Sequence, residues 1–294
     1  MELSDLQTFA AVARNGGITR AAEELNTVQS NVTQRVKALE TEIGTPLFER
    51  HSRGMTLTGA GRRLLPYAQR MAALSREAVL AARDDGDPKG PLSIGSLETT
   101  AAVRLPPLLA RFHRSFSAVR LSLRTATTAD LVGAVLDGTV DGAFVAGPIE
   151  HAELIATPVF REELVLVSAR RWKSLAELRA AAGEGPTVLV FRHGCTYRNR
   201  LEQILNDFGW PSAARFELGT LDGMIGCVAA DMGITLLPRA VVARSEMDGN
   251  VAIHSLSPAH ARVETLFIRR RAGHPYSALQ AFVFCLKQDE VIAA

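Results

Sequence analysis

The sequence predicts an α/β protein preceded by a small all-helical segment and one long helix, and three observations carry that expectation. Apolar residues recur at helical spacing through the first 45 positions and again from Leu64 to Val79. A turn signal, Ser52-Arg53-Gly54, splits a loosely alternating run from Leu47 to Leu57 into a hairpin. From Lys89 onward the period changes, and short apolar runs alternate with helical stretches, as in an α/β fold with largely parallel sheets. With 294 residues, 47% of them hydrophobic and 22% charged, the chain has apolar material for two or three domains.

Each element follows in order. Leu6, Phe9, Ala10 and Ala13 fall at i, i+3, i+4 and i+7, and Asn15-Gly16-Gly17 stops that first helix. Thr19 is expected to cap a second helix, in which Ala21 and Ala22 allow close contact and Leu25 points to the core. After a short turn at Asn26, Thr27 is expected to cap a third. There Val32, Val36, Leu39 and Ile43 share one side, while Ser30, Thr33, Gln34 and Lys37 occupy the other and Gln29 flanks them. An arc of amide, hydroxyl and ammonium groups can read base edges, although a merely solvated face has the same spacing.

A hairpin after such a helix reads as a wing, with Arg53 at its tip for the minor groove and Arg50 and His51 near phosphates. The net charge of +2 says nothing about nucleic acid, but its distribution does. Arg50, Arg53, Arg62, Arg63, Arg70 and Arg76 form a stretch without one carboxylate.

A helix of some twenty-five residues then begins at Thr58. Its stripe of Leu64, Leu65, Ala68, Met71, Ala72, Ser75, Ala78 and Val79 has no evident local core, which implies a partner helix and a dimer. Pro66 is expected to kink this helix or displace its first turns. Beyond Asp87-Pro88, strand-like runs at Leu92–Gly95, Val119–Leu123, Ala143–Val145, Leu164–Ser168, Thr187–Phe191, Phe216–Gly219, Ile234–Leu237 and Val263–Ile268 alternate with helical stretches. These include Leu105–His113, Leu131–Leu136, Arg198–Phe208 and Leu221–Ala230, and so many strands imply two α/β lobes.

Cys195, Cys227 and Cys285 form no C-x-x-C pair and no zinc spacing, so neither a metal nor a cofactor is expected. The N-terminus lacks a signal-peptide pattern, and no apolar run reaches the roughly 18 residues of a membrane span. A cytoplasmic protein without a membrane partner is expected. An enzyme built on His193 and Cys195 would need a third orienting group, and none is identifiable. Dinucleotide, nucleophile-elbow and phosphate-loop motifs are absent, so catalysis is not expected. A purely architectural DNA binder would not need the large α/β portion.

Three blocks at consistent spacing now point to a family. Leu6-Gln7-Thr8-Phe9 with Gly17-Ile18-Thr19-Arg20-Ala21-Ala22, then Val28 to Glu40, then Gly44-Thr45-Pro46-Leu47-Phe48-Glu49-Arg50 resemble LysR-type transcriptional regulators. Farther on, Gly138-x-x-Asp141-Gly142-Ala143 and Gly233-Ile234-Thr235-Leu236-Leu237-Pro238 resemble landmarks of that family's effector domain. Gly194-Cys195-Thr196-Tyr197-Arg198, with Leu221 to Cys227, resembles a subset of the family. One departure is Thr33-Gln34, where the family usually carries Ser-Arg; it is expected to shift base preference.

The resemblance implies a winged helix-turn-helix at 1–58, a linker helix at 59–87 and a periplasmic-binding-protein-like effector domain at 88–294. Lobe I then takes about 88–162 plus 266–294, and lobe II about 163–265. The implied partners are palindromic double-stranded DNA, a small-molecule effector and further copies of the chain, as homodimer or homotetramer. RNA polymerase is a further candidate partner. DNA contacts are expected from Gln29, Ser30, Thr33, Gln34, Lys37, Arg50 and Arg53.

In open α/β sheets a ligand cleft lies at the carboxyl ends of the strands. That places Thr99, Thr100 and Thr128 on one side and Cys195, Thr196 and Thr220 on the other. In the resembled family, positions matching Thr99 and Thr128 contribute to effector binding. Hydroxyl-lined helix starts favour an anion, hence a small carboxylate metabolite, although the same threonines can serve as helix caps. Thiol-based redox sensing at Cys195 is the alternative within the family, and it lacks a resolving cysteine between Arg198 and Trp210.

Overall fold

The computed structural model describes residues 1–51, 54–181, 185–273 and 275–289. It divides into two compact units, one holding 1–85 with 136–139 and the other holding the rest.

The first unit begins with α1 (Leu3–Asn15), α2 (Ile18–Glu24) and α3 (Gln29–Ile43). Leu6, Phe9, Val12, Ala21, Val32, Val36 and Leu39 close a dry core, which Leu47 and Phe48 complete. Two expected caps differ: Gly17 and Val28 take the N-cap positions, one or two residues from Thr19 and Thr27. Thr27 instead accepts a bond from the Asn31 side chain at 2.9 Å. Ile43 lies one residue before the Gly44 cap, past the end of the core, and is 38% exposed.

The hairpin consists of β1 (Phe48–His51) and β2 (Gly54–Leu57), paired antiparallel. Its tip, Ser52 and Arg53, lies outside the described residues. Gly54 has φ +129°, and a Cβ there would meet Gly16 O at 2.5 Å. Only glycine lets the hairpin approach the end of α1 so closely, and Met55 N donates to the same oxygen at 2.9 Å.

From Thr58, whose hydroxyl accepts from Gly61 N at 3.0 Å, α4 (Gly59–Arg83) runs 25 residues without a break at Pro66. The expectation that its stripe lacks a local core holds for only part of its length. Ala68 is buried in the unit's core, and Leu64 and Leu65 pack against it. Ala72 and Ala73 are buried as well, whereas Tyr67, Met71, Leu74 and Val79 are exposed.

The second unit carries β3 (Gly90–Ser96), α5 (Glu98–Val103), α6 (Leu105–Ser115), β4 (Val119–Thr125), α7 (Thr128–Leu136), β5 (Gly142–Ala146) and β6 (Leu154–Ala169). After α8 (Leu175–Ala181) come β7 (Val188–Val190), α9 (Thr196–Asp207), β8 (Arg215–Glu217) and α10 (Leu221–Ala229). The chain continues through β9 (Thr235–Pro238), α11 (Arg239–Met247), β10 (Val251–Ser255), α12 (Pro258–Ala261), β11 (Arg262–Arg270) and α13 (Ser277–Asp289).

The sheets are mixed rather than largely parallel. β3 pairs parallel with β4 and β5, and β7 with β8, but β6 and β11 pair antiparallel with all their neighbours. The reason is that these two strands cross between lobes. Residues 154–163 of β6 pair with β11 in lobe I, and residues 164–169 pair with β9 and β10 in lobe II.

Lobe I packs α6 and α13 through Phe112 and Phe282, whose rings lie 5.1 Å apart, against Phe144 and Phe267. A Cβ at Gly142 would sit 2.3 Å from the Phe267 ring, so that position must be bare. Lobe II buries Val165, Val167, Leu189, Met224, Val228 and Leu237. Among the described residues no helix is long and apolar enough to cross a membrane, and no cluster of three metal-ligating side chains occurs.

Candidate functional site

Two surfaces carry chemistry, one in each unit. On α3, burial of Val32, Val36 and Leu39 turns the opposite face outward. Gln29, Ser30, Gln34 and Lys37 are exposed there and Thr33 is half-buried. Arg35, between them in sequence, is turned to α1 and bonds Ser4 Oγ at 2.7 Å and Asp5 at 3.0 Å. The outer arc is thereby left with neutral donors and acceptors plus one ammonium.

The hairpin is tied to this helix by a residue that sequence reasoning missed. Glu40 Oε1 accepts from Leu47 N at 2.8 Å and Phe48 N at 3.2 Å. Arg50 and His51 are exposed on β1, and Arg53 lies outside the described residues. A rigid helix presenting amides and hydroxyls, with a basic strand fixed beside it, has the composition of a groove reader.

The second surface is a cavity of about 370 Å³ within the second unit. Lobe I lines it with Leu97, Glu98 and Thr99 at the start of α5, with Arg124 to Thr127 after β4, and with Asp130. Lobe II contributes Phe191, Arg192, Cys195, Tyr197, Leu218 and Gly219. The volume suits a small metabolite.

Of the residues expected there, Thr99 and Cys195 line the cavity. Thr128 and Thr196 bond each other across the lobes at 3.1 Å, and Thr196 reaches Ala146 O at 3.5 Å. Thr100 is buried within α5. Thr220 is exposed and caps α10, accepting from Gly223 N at 3.3 Å. At α7 the cap belongs to Thr127, whose hydroxyl accepts from Asp130 N at 3.3 Å and donates to Asp130 Oδ2 at 2.8 Å.

Two hydroxyls stand apart. Thr99 Oγ1 and Tyr197 OH are buried and lie close to each other from opposite lobes, near enough for a weak mutual contact, and neither makes a hydrogen bond of good geometry among the described residues. Burial pushes the Tyr197 phenol well above its ordinary value, against a weaker pull from the nearby Thr99 hydroxyl, so it stays a donor. Burying a hydroxyl without a partner costs roughly 1–3 kcal/mol, and such a cost persists where a ligand recovers it. Tyr197 was not expected in the cavity, although it stands beside Cys195 and Thr196 in the Gly194-to-Arg198 segment.

Around this pair the lobes are tied together. Glu98 Oε1 accepts from Leu221 N at 2.8 Å, and Ala129 N donates to Gly194 O at 3.2 Å. Arg104, between α5 and α6, holds the crossover strand through two bonds to the buried Glu162 carboxylate, at 2.8 and 2.9 Å. Arg198, nearly buried, accompanies Tyr197 on α9 and binds Glu217 at 3.0 Å and Phe191 O at 3.2 Å. Burial also pushes the Cys195 thiol up, with the backbone N–H groups of Arg198 and Tyr197 opposing. A thiol so held is a weak nucleophile.

Comparison with known proteins identifies the two domains. Residues 3–62 match the family described as bacterial regulatory helix-turn-helix protein, lysR family, and residues 85–290 match the LysR substrate binding domain. The chain is 42% identical over 283 residues to the transcriptional regulator GltR of Bacillus subtilis, covering 96% of this chain and 95% of that protein. It is 45% identical over 283 residues to the regulator YofA of the same organism, covering 96% and 97%. Among solved structures, full-length CbnR complexed with its target DNA superposes with a TM-score of 0.67 at 26% identity, covering 98% of this chain and all of that one.

Proposed function

The chain belongs to the LysR family of transcriptional regulators, which bind DNA and carry an effector-binding domain, and on that premise we propose how its two surfaces work. The α3 arc of Gln29, Ser30, Thr33, Gln34 and Lys37 enters the major groove, with Arg50 and Arg53 of the wing on the backbone and minor groove. The reading divides the chain at 1–58, 59–87 and 88–294. CbnR, complexed with its target DNA, supports DNA as the partner.

The exposed stripe of Tyr67, Met71, Leu74 and Ala78 on α4 falls at i, i+4, i+7 and i+11 and favours an antiparallel pair of linker helices. A homodimer, or a homotetramer of paired dimers, then binds a palindromic promoter site in the cytoplasm and acts on RNA polymerase there. Light scattering at micromolar concentration checks this, and a monomer contradicts it.

The effector is a small carboxylate-bearing metabolite held in the cleft, and one observation carries this: two unpartnered buried hydroxyls, Thr99 Oγ1 and Tyr197 OH, converge from opposite lobes. One ligand oxygen accepting from both would join the lobes. Thr128 and Thr196, bonded to each other across the lobes, brace the same region, while Thr100 within α5 and Thr220 at the α10 cap act on it through their helices. A redox switch at Cys195 is disfavoured by the buried, protonated thiol.

The test is footprinting of the full chain on its own promoter with acetate, pyruvate, succinate and 2-oxoglutarate. Tyr197→Phe keeps the DNA site and loses the metabolite-dependent change. A response unaltered in Tyr197→Phe places the effector elsewhere.

A further inference from the structure

The N-terminus of α10 lies beside the cleft, yet two of its first three N–H groups, those of Leu221 and Gly223, are already engaged. Glu98 of lobe I accepts from Leu221 N at 2.8 Å, and Thr220 Oγ1 accepts from Gly223 N at 3.3 Å. A helix N-terminus is a ready anion site, because free N–H groups and the dipole both favour negative charge. Here that place is held by the protein's own carboxylate, reaching across from the opposite lobe.

A second observation shows where the unfilled capacity lies. Thr99 and Tyr197 line the same cavity and are 4% and 3% exposed, and beyond their weak contact with each other their hydroxyls have no hydrogen-bond partner among the described residues. The cleft therefore offers one open pair of donors and one anion position that is taken.

We infer that Glu98 determines effector specificity: by holding the α10 N-terminus it limits the effector to a single carboxylate, received between Thr99 and Tyr197, and turns away molecules whose second carboxylate would need that N-terminus. This rests on the reading of the cleft as the effector site. Asp130 lines the same cavity but is exposed and bonded to Thr127, so solvent and salt screen its carboxylate. Arg124 and Arg192 also line it but are exposed, so solvent and salt screen them. They draw an anion in without choosing between one carboxylate and two.

Calorimetric titration of the full chain with two matched pairs tests the inference: butyrate against glutarate, and 2-oxobutyrate against 2-oxoglutarate. Each pair differs by one terminal carboxylate. The wild type binds the monocarboxylate of at least one pair about tenfold or more tightly than its dicarboxylate. Glu98→Ala, checked for folding by its melting temperature, narrows that ratio by about tenfold or inverts it. Glu98→Gln still offers an acceptor to Leu221 N and keeps most of the preference.

Three results overturn the inference. A wild type that prefers the dicarboxylate refutes it even if Glu98→Ala does not fold. A ratio unchanged in Glu98→Ala, with binding lost in Tyr197→Phe, refutes the role of Glu98 and leaves the cleft as the effector site. Failure of all four compounds to bind the wild type at millimolar concentration removes both.

Discussion

The α3 face and the cleft pose opposite structural problems. On α3 every candidate contact lies on one helix, on the side that Val32, Val36 and Leu39 leave outside. In the cleft the groups come from Thr99, Asp130, Tyr197 and Leu218, segments joined only when β6 and β11 cross between lobes. The first surface, proposed to meet a polymer, is open to solvent. The second keeps two buried hydroxyls unsatisfied. A surface for a large partner costs the fold little, whereas a pocket for a small one stores a deficit that the ligand relieves.

That contrast can be broken at several points, beginning with the largest effect. Leu39→Ala empties a fully buried site beneath the α3 face and is expected to cost about 2–5 kcal/mol in denaturant unfolding, lowering affinity for all DNA sequences through loss of folded protein. A cost under about 1 kcal/mol would mean that the helix is not held by its core.

On the outer face, Gln34→Ala is expected to relax preference at one base position by about 1–3 kcal/mol per half-site. Arg50→Ala weakens all sequences alike and flattens the salt slope. Selection from a randomised operator library separates the two. Thr58→Ala removes the cap of α4 and is expected to cost about 1 kcal/mol in thermal unfolding, with base preference unchanged.

How far these surfaces were legible in the sequence follows from their construction. The α3 arc could be read because one helical period sorts inside from outside, and only its ends misled. Ile43 lies past the core, and the caps fell on Gly17 and Val28. Glu40 was missed because its role, accepting two N–H groups of the hairpin start, depends on a turn that spacing does not describe.

In the α/β portion most strands were visible as apolar runs. β10 was not, since Val251-Ala252-Ile253-His254-Ser255 is short and half polar. The largely parallel expectation failed because strand direction is set by which runs cross between lobes, and no run announces that. Thr99 and Cys195 could be placed at the cleft by counting from strand ends. The roles of Tyr197 and Glu98 could not be read, because a buried hydroxyl short of partners and a carboxylate bonded 123 positions away are properties of the folded chain.

The smaller effects sharpen the contrast. Tyr197→Phe deletes an unsatisfied hydroxyl and is expected to leave stability unchanged or raise it by up to about 1 kcal/mol. A loss of stability would mean that the hydroxyl has a partner in the free protein.

His254 supplies the smallest signal. It is buried beside Ser168 Oγ at 2.8 Å, and burial holds its pKa below the ordinary histidine value of 6.5. Below that value the unfolded chain binds a proton that the folded chain refuses, so stability is full above it and declines as pH falls toward the folded value. His254→Gln is expected to shallow the fall in melting temperature between about pH 6.5 and 5. An unchanged slope assigns that fall to other groups.

The measurement that tests the division of labour most directly is quantitative footprinting of three chains, wild type, Gln34→Ala and Tyr197→Phe, on the native promoter and on a base-substituted operator. Each is titrated with and without the carboxylate that shifts the wild type. The account predicts that Gln34→Ala changes which operator is preferred while the fold-response to the carboxylate persists. Tyr197→Phe keeps the operator preference and loses the response. A Tyr197→Phe chain that still responds, or a Gln34→Ala chain whose base preference is unaltered, would contradict it.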